Sequence, residues 1–230
     1  METQSLAGGL WPVMLTPFHE NNEVDYEGLK KITEFYIHSG ANGLFANCLS
    51  SEMFQLSNKE RLKIISTVVK IASRYKLSVV ASGTFSHDAG VNADFIKQVY
   101  DAGVSGVIII TNQLVKIQED ENILKRHLGL LMEQTGDIPL GVYECPYPYK
   151  RLVSASLMKW LGETGRFFYH KDTSCDPVSI QKKIKAIKST SLALYNANTA
   201  TSLASLEMGA RGLSPIEANF YPELYTFMLN

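Results

Sequence analysis

Hydrophobic and polar positions along this chain fall into two alternating kinds of segment. Short apolar or β-branched runs begin near Leu10, Gly43, Ser78, Gly106, Pro139, Phe167, Ser191 and Gly212, and longer amphipathic stretches separate them. Apolar runs of about four to six residues suit strands covered on both faces, as in a parallel sheet. The intervening patterns predict helices over 25–39, 57–75, 92–102, 120–134, 154–162, 177–188 and 199–208. In the first, Leu29, Ile32, Phe35 and Tyr36 recur at helical spacing. Ser57 followed three residues later by Glu60 reads as a capping box. Gly40, Gly103, Gly136 and Gly209 stand just past four of these stretches, where a left-handed residue commonly closes a helix. Eight strand-then-helix units with no Gly/Ser linker predict one (β/α)8 barrel domain over 1–230. A doubly wound open sheet is the alternative, but no GxGxxG follows the first strand.

Composition narrows the class. The 230 residues are 45% hydrophobic, 10% aromatic and 20% charged, as in an ordinary globular protein. Twenty-two basic and twenty-three acidic side chains leave a formal net charge of -1, so no global field favours nucleic acid or an anionic membrane. No apolar run reaches the ~18 residues of a membrane helix, and the N-terminus has neither a basic start nor an apolar signal core. A cytoplasmic enzyme is the expectation. The three cysteines show no CxxC spacing, which argues against a disulfide framework.

In a barrel of this kind chemistry gathers at the C-terminal ends of the strands. The sixth run, PhePheTyrHisLysAspThrSer, places Lys171 there. An inward lysine at that depth is desolvated, which lowers its pKa and frees the amine to attack a carbonyl. The competing reading is a lysine that snorkels to solvent. The fifth run ends in Tyr143, a candidate proton carrier or a buried tyrosine tied to backbone. After the second run comes Asn47-Cys48-Leu49-Ser50-Ser51-Glu52, a turn whose amides can hold a carboxylate, as those of many such turns can. Cys48, Cys145 and Cys175 all follow strands, but their irregular spacing and the lack of a HisGluxxHis pattern favour small apolar fillers over a metal site. His170 should face away from Lys171 across the strand. The basic run at 181–188 reads as a solvated helix face with Ile184 and Ile187 inward, and the acidic run at 118–122 as a helix N-terminus.

Together these residues resemble the dihydrodipicolinate synthase / N-acetylneuraminate lyase family of Schiff-base-forming barrels. The likeness runs from LeuTrpProValMetLeuThrProPhe at 10–18 to GlyAlaArgGlyLeuSerPro at 209–215, nearly the whole chain. ThrProPhe, the segment from Cys48 to Glu52, Tyr143 with Pro146, and Lys171 occur in the family's order. The resemblance implies that Lys171 forms an imine with pyruvate or another 2-oxo acid and that Tyr143 relays protons. It implies that Leu49 and Ser50 hold the substrate carboxylate, the Ser50 hydroxyl assisting. Thr173 matches the Lys-x-Thr pattern of the lyase and sugar-acid aldolase branches, and Ala197 and Ser214 fall where the family lines the imine pocket with backbone groups. No metal or organic cofactor is implied.

The departures set this chain on a side branch. The synthase usually carries two hydroxyl residues at the positions of Leu49 and Ser50, and a tyrosine after strand four where this chain reads ThrAsnGlnLeu at 111–114. It places an arginine where Pro148 stands, and Arg151 comes three residues later. These losses argue against dihydrodipicolinate synthesis. Asn198 and Thr199 replace the acidic pair with which sialic acid lyases grip a polyol. Family members continue past the eighth helix into further helices, so a missing or shortened C-terminal segment is expected, with a homo-oligomer if those helices are present. The expected function is a class I lyase or aldolase. A synthase-type condensation or a sugar-acid dehydratase using the same lysine is the near alternative, and a non-catalytic ligand-binding barrel the distant one.

Overall fold

The structure is a computed structural model and describes residues 6–229. Its strands are β1 (Gly9–Leu10), β2 (Gly43–Ala46), β3 (Ser78–Ser82), β4 (Gly106–Ile110), β5 (Leu140–Tyr143), β6 (Phe167–Asp172), β7 (Ala193–Asn196) and β8 (Gly212–Leu213). Its helices are α1 (Tyr26–His38), α2 (Asn58–Ala72), α3 (Ala89–Asp101), α4 (Thr111–Leu114), α5 (Glu121–Gln134), α6 (Ala155–Glu163), α7 (Pro177–Ile187), α8 (Ser202–Glu207) and α9 (Pro222–Leu229). The strands run parallel in the order β1-β8-β7-β6-β5-β4-β3-β2. A parallel bridge between Val13 and Phe45 joins the two ends and closes the barrel.

Closure explains why β1 is so short within a longer apolar run. Pro12 has no N–H to give to a ladder, so the chain changes partner there. Before it, the Trp11 amide donates to Leu213 O at 2.8 Å; after it, the Met14 amide donates to Phe45 O at 3.0 Å. The strand starts otherwise lie where the apolar runs predict them. All four glycines expected to close helices have positive φ, from 55° at Gly136 to 100° at Gly209. Three helical segments differ from expectation. α3 begins at Ala89 because Asp88 accepts the Val91 amide at 2.9 Å, and its exposed first turn carries no apolar period. The extra α4 follows β4 directly. The segment at 199–208 opens as a 3-10 turn, Thr199–Thr201, because the Asn198 carboxamide caps the Thr201 amide at 3.1 Å.

Each strand is covered on both faces. Val80, Ile108 and Ile110 point into the barrel with Trp11, Phe45, Tyr143, Tyr169 and Tyr195. Val79, Ala81, Val107 and Ile109 point out against helical residues such as Ile65, Val68, Ile96 and Leu128. Aromatic rings fill the lower interior: Tyr169 and Tyr195 stack with centroids 4.2 Å apart, and Trp11 lies 5.4 Å from Tyr169. The Trp11 ring needs Gly43 beneath it, since a Cβ there would lie 2.4 Å from the indole. No helix of the described residues is long and apolar enough to cross a membrane. Trp11→Ala removes the centre of this plug and is expected to cost about 3–5 kcal/mol, read as a lower urea midpoint; an unchanged midpoint would show that the interior is loosely packed.

Candidate active site

Above the aromatic plug, at the C-terminal ends of the strands, a cavity of about 380 Å³ opens. Lys171, Tyr143, Leu49, Ser50, Thr173 and Ala197 line it, all expected from the sequence; Cys48, Lys150 and Asn198 line it as well. A cleft of about 650 Å³ between Lys188, Leu192 and Arg211 lies at the other end of β7, where barrel residues serve stability rather than chemistry.

Lys171 reaches the cavity because β6 alternates. Tyr169 and Lys171 face inward, while His170 and Asp172 face the helices. The parallel register sets Tyr143 directly beside Lys171. Lys171 Nζ lies 4.6 Å from the Tyr143 ring centre and 5.6 Å from that of Phe45, and it donates to Cys48 Sγ at 3.4 Å. The side chain is 4% exposed, so the snorkelling alternative fails. Burial, reinforced by the neighbouring Cys48 and Cys145 thiols, pushes the Tyr143 phenol well above its ordinary pKa. It therefore stays protonated at neutral pH. Burial also pushes Cys145 up to about 11.

The remaining expected residues divide. Leu49 and Ser50 open a 3-10 turn after β2, and the first amides of such a turn have no carbonyl partner within it. The Ser50 hydroxyl donates to Val13 O at 2.9 Å. The Thr173 hydroxyl donates to Glu144 O at 2.6 Å, and the Ala197 amide donates to Asp172 O at 2.9 Å. Ser214 does not line the cavity. It is fully buried, and its hydroxyl donates to Trp11 O at 2.8 Å, fastening β8 to the chain after β1.

Behind the cavity wall lies a cluster that the sequence reading missed. Lys183 of α7 was expected on a solvated face. Instead Ile180, Lys183 and Ile187 point inward. The Lys183 ammonium bridges Glu144 Oε1 at 2.5 Å and Asp172 Oδ2 at 2.6 Å. His170 Nε2 lies 3.6 Å from Asp172 and 3.7 Å from Glu144. Glu144, His170 and Asp172 have the spacing of a metal-ligand group, and the cation between the two carboxylates is the lysine. Glu144 also accepts the Val153 amide at 2.7 Å and the Thr173 amide at 3.0 Å. Burial alone would raise the Asp172 carboxyl, but the His170 ring and the Lys183 ammonium hold it well below the usual carboxylate range. Burial opposes the Lys183 charge, yet Glu144 and Asp172 raise its pKa overall.

A sequence profile of the dihydrodipicolinate synthetase family matches residues 6–230. The chain belongs to that family. A 4-hydroxy-tetrahydrodipicolinate synthase of Methanococcus maripaludis is 25% identical over 227 residues, covering 96% of this chain and 74% of that protein. The enzyme of the same name from Laribacter hongkongensis is 27% identical over 218 residues, covering 94% and 72%. Among solved structures, a dihydrodipicolinate synthase superposes with a TM-score of 0.86 at 24% identity, over 97% of this chain and 75% of that one. YagE, a prophage protein of the family from E. coli K12 solved with pyruvate, gives 0.88 at 21%, over 98% and 75%.

The positions where this family member departs from the synthase pattern have other work. Asn112, in the segment after β4, donates its carboxamide to Cys145 O at 2.8 Å and Tyr147 O at 2.9 Å, pinning the loop after Tyr143. Arg151 turns away from the cavity toward the carbonyls of Lys116 and Glu119. Lys150 faces the cavity instead, with its ammonium 2.8 Å from Thr173 O.

Removing the central cation should expose the cost of the buried carboxylates. Lys183→Met is expected to destabilise the fold by about 3–5 kcal/mol. In the wild type, the Asp172 share of stability is present above its unfolded pKa of about 4 and is lost as pH falls through the lowered folded value. The Lys183 share is present below about pH 10 and is lost as pH rises through the raised folded value. Urea titrations across pH should show the variant lacking the alkaline flank and keeping only the part of the acid flank that His170 supplies; a variant as stable as the wild type at pH 7 would contradict this.

Proposed function

We propose that this protein is a cytoplasmic Schiff-base-forming lyase or aldolase acting on pyruvate or a related 2-oxo acid. The observation that carries the reading is a buried lysine amine at the end of β6, beside an in-register tyrosine, in a cavity large enough for a small acid. Its membership in a family whose curated relatives are enzymes supports the same reading.

In this mechanism the substrate carboxylate rests on the amides of Leu49 and Ser50. The neutral Lys171 amine adds to the keto carbon while Tyr143 gives its proton to the carbonyl oxygen. Loss of water leaves a protonated imine, which withdraws electrons from the neighbouring carbon. That carbon then forms or breaks a bond to a second carbonyl compound, and hydrolysis of the imine frees Lys171. Thr173 and Ala197 shape the wall behind the imine.

The second substrate separates this chain from its curated relatives. Synthase-type condensation is favoured by their name, shared at 25–27% identity. The orientation of Arg151 and the use of Asn112 as a loop staple favour a different partner for the enamine. Product analysis distinguishes the readings, since cleavage gives two carbonyl fragments and dehydration gives one.

Borohydride reduction in the presence of pyruvate, followed by peptide mapping, should place a stable adduct on the Lys171 peptide. Absence of an adduct from folded protein across a panel of 2-oxo acids would leave a barrel that binds without imine chemistry. Lys171→Ala should abolish turnover. Tyr143→Phe should lower the rate by about 10²–10⁴-fold, whereas an unchanged rate would reduce Tyr143 to packing.

A further inference from the structure

The proton traffic of imine formation needs more than Tyr143. As the amine adds to the keto carbon, nitrogen must lose one proton and oxygen must gain one. Among the described side chains around Lys171, most hydroxyl protons are already committed to backbone carbonyls. Ser50 donates to Val13 O, Ser51 to Met14 O and Thr173 to Glu144 O. Tyr195 donates to Ala7 O, at the far end of the barrel, and the unpartnered Tyr169 hydroxyl does not line the cavity. The Cys145 thiol faces Tyr147 O at 3.4 Å, and Leu49 has no proton to give. Cys48 is different. Its sulfur accepts from Lys171 Nζ at 3.4 Å, it is 1% exposed, and it lines the same cavity as Tyr143.

We propose that the Cys48 thiol is a catalytic residue of imine formation, carrying a proton between Lys171 Nζ and Tyr143. This rests on the imine reading above. In the step, the nitrogen–carbon bond forms and the carbonyl π pair moves to oxygen, which takes the Tyr143 proton. The proton shed by nitrogen passes to Cys48 sulfur, and the Cys48 S–H proton restores Tyr143. One proton has moved from nitrogen to oxygen, and both the thiol and the phenol end as they began. No oxidant or cofactor enters. A thiol used only as a filler would be replaceable by a methyl group, whereas a proton carrier is replaceable only by another group bearing a labile proton.

The test is the rate of imine formation with pyruvate, measured by rapid mixing and borohydride quenching with mass detection of the Lys171 adduct. Cys48→Ala should form the adduct about 10²-fold more slowly than the wild type, with half-saturation by pyruvate changed less than about threefold. Cys48→Ser should recover most of the lost rate. A wild-type rate in Cys48→Ala overturns the proposal, as does a Cys48→Ser rate as slow as that of Cys48→Ala when circular dichroism shows both variants folded. If the alanine variant fails to fold, Cys48→Ser decides alone: a rate within tenfold of the wild type supports the carrier, and a 10²-fold loss overturns it. Failure of the wild type itself to form an adduct would instead remove the imine reading, and this proposal with it.

Discussion

The site depends on the register between β5 and β6. Tyr143 and Lys171 are cross-strand neighbours facing inward, and the residues that follow them, Glu144 and Asp172, face outward. One lysine from α7 holds both of those carboxylates. A slip of one residue in either strand would turn its functional side chain out of the barrel and its carboxylate in. The buried ion cluster is therefore best understood as a lock on alignment. Its net contribution to stability is limited by desolvation, but any other pairing of these strands leaves a buried charge without its partner. The Glu144 contacts to Thr173 and Val153 extend the lock along both strand ends, so the cavity wall is fixed from behind.

Much of this was legible in the sequence. Parallel strands buried on both faces announce themselves as short apolar runs, and glycines closing helices mark where each unit turns back. Lys171 and Tyr143 were identifiable because strand ends in a barrel are where inward polar residues collect, and the family likeness assigned them roles. Lys183 was not. It lies in a run of lysines, and period analysis treats a charged residue as solvent-facing. The signal that could have exposed it is the spacing Ile180, Lys183, Ile187, which puts the lysine on the apolar stripe of α7 opposite two acidic residues at adjacent strand ends. The family likeness placed a backbone group of Ser214 at the pocket; the cavity is lined without Ser214, whose hydroxyl is held by Trp11 O. The thiol of Cys48 looked like a filler because contact with Lys171 joins residues 123 positions apart.

The same structure separates what this family member shares from what it changes. The inward lysine, the tyrosine and the turn after β2 meet at the cavity and make up the half of the site that the proposed reading assigns to the 2-oxo acid. The surroundings differ from the synthase pattern: Asn112 pins the loop that follows Tyr143, Arg151 anchors to the carbonyls before α5, and Lys150 and Asn198 stand at the cavity. Asn198 caps its own helical turn through Thr201, which leaves it poorly placed to act as a sugar clamp.

The most direct test of the account is magnetic resonance on protein labelled at lysine Nζ and mixed with pyruvate labelled at its keto carbon. The account predicts a carbon–nitrogen coupled imine signal from one lysine, present in the wild type and missing in Lys171→Ala. A coupled signal that survives this substitution, or none from folded wild-type protein at saturating pyruvate, would contradict it.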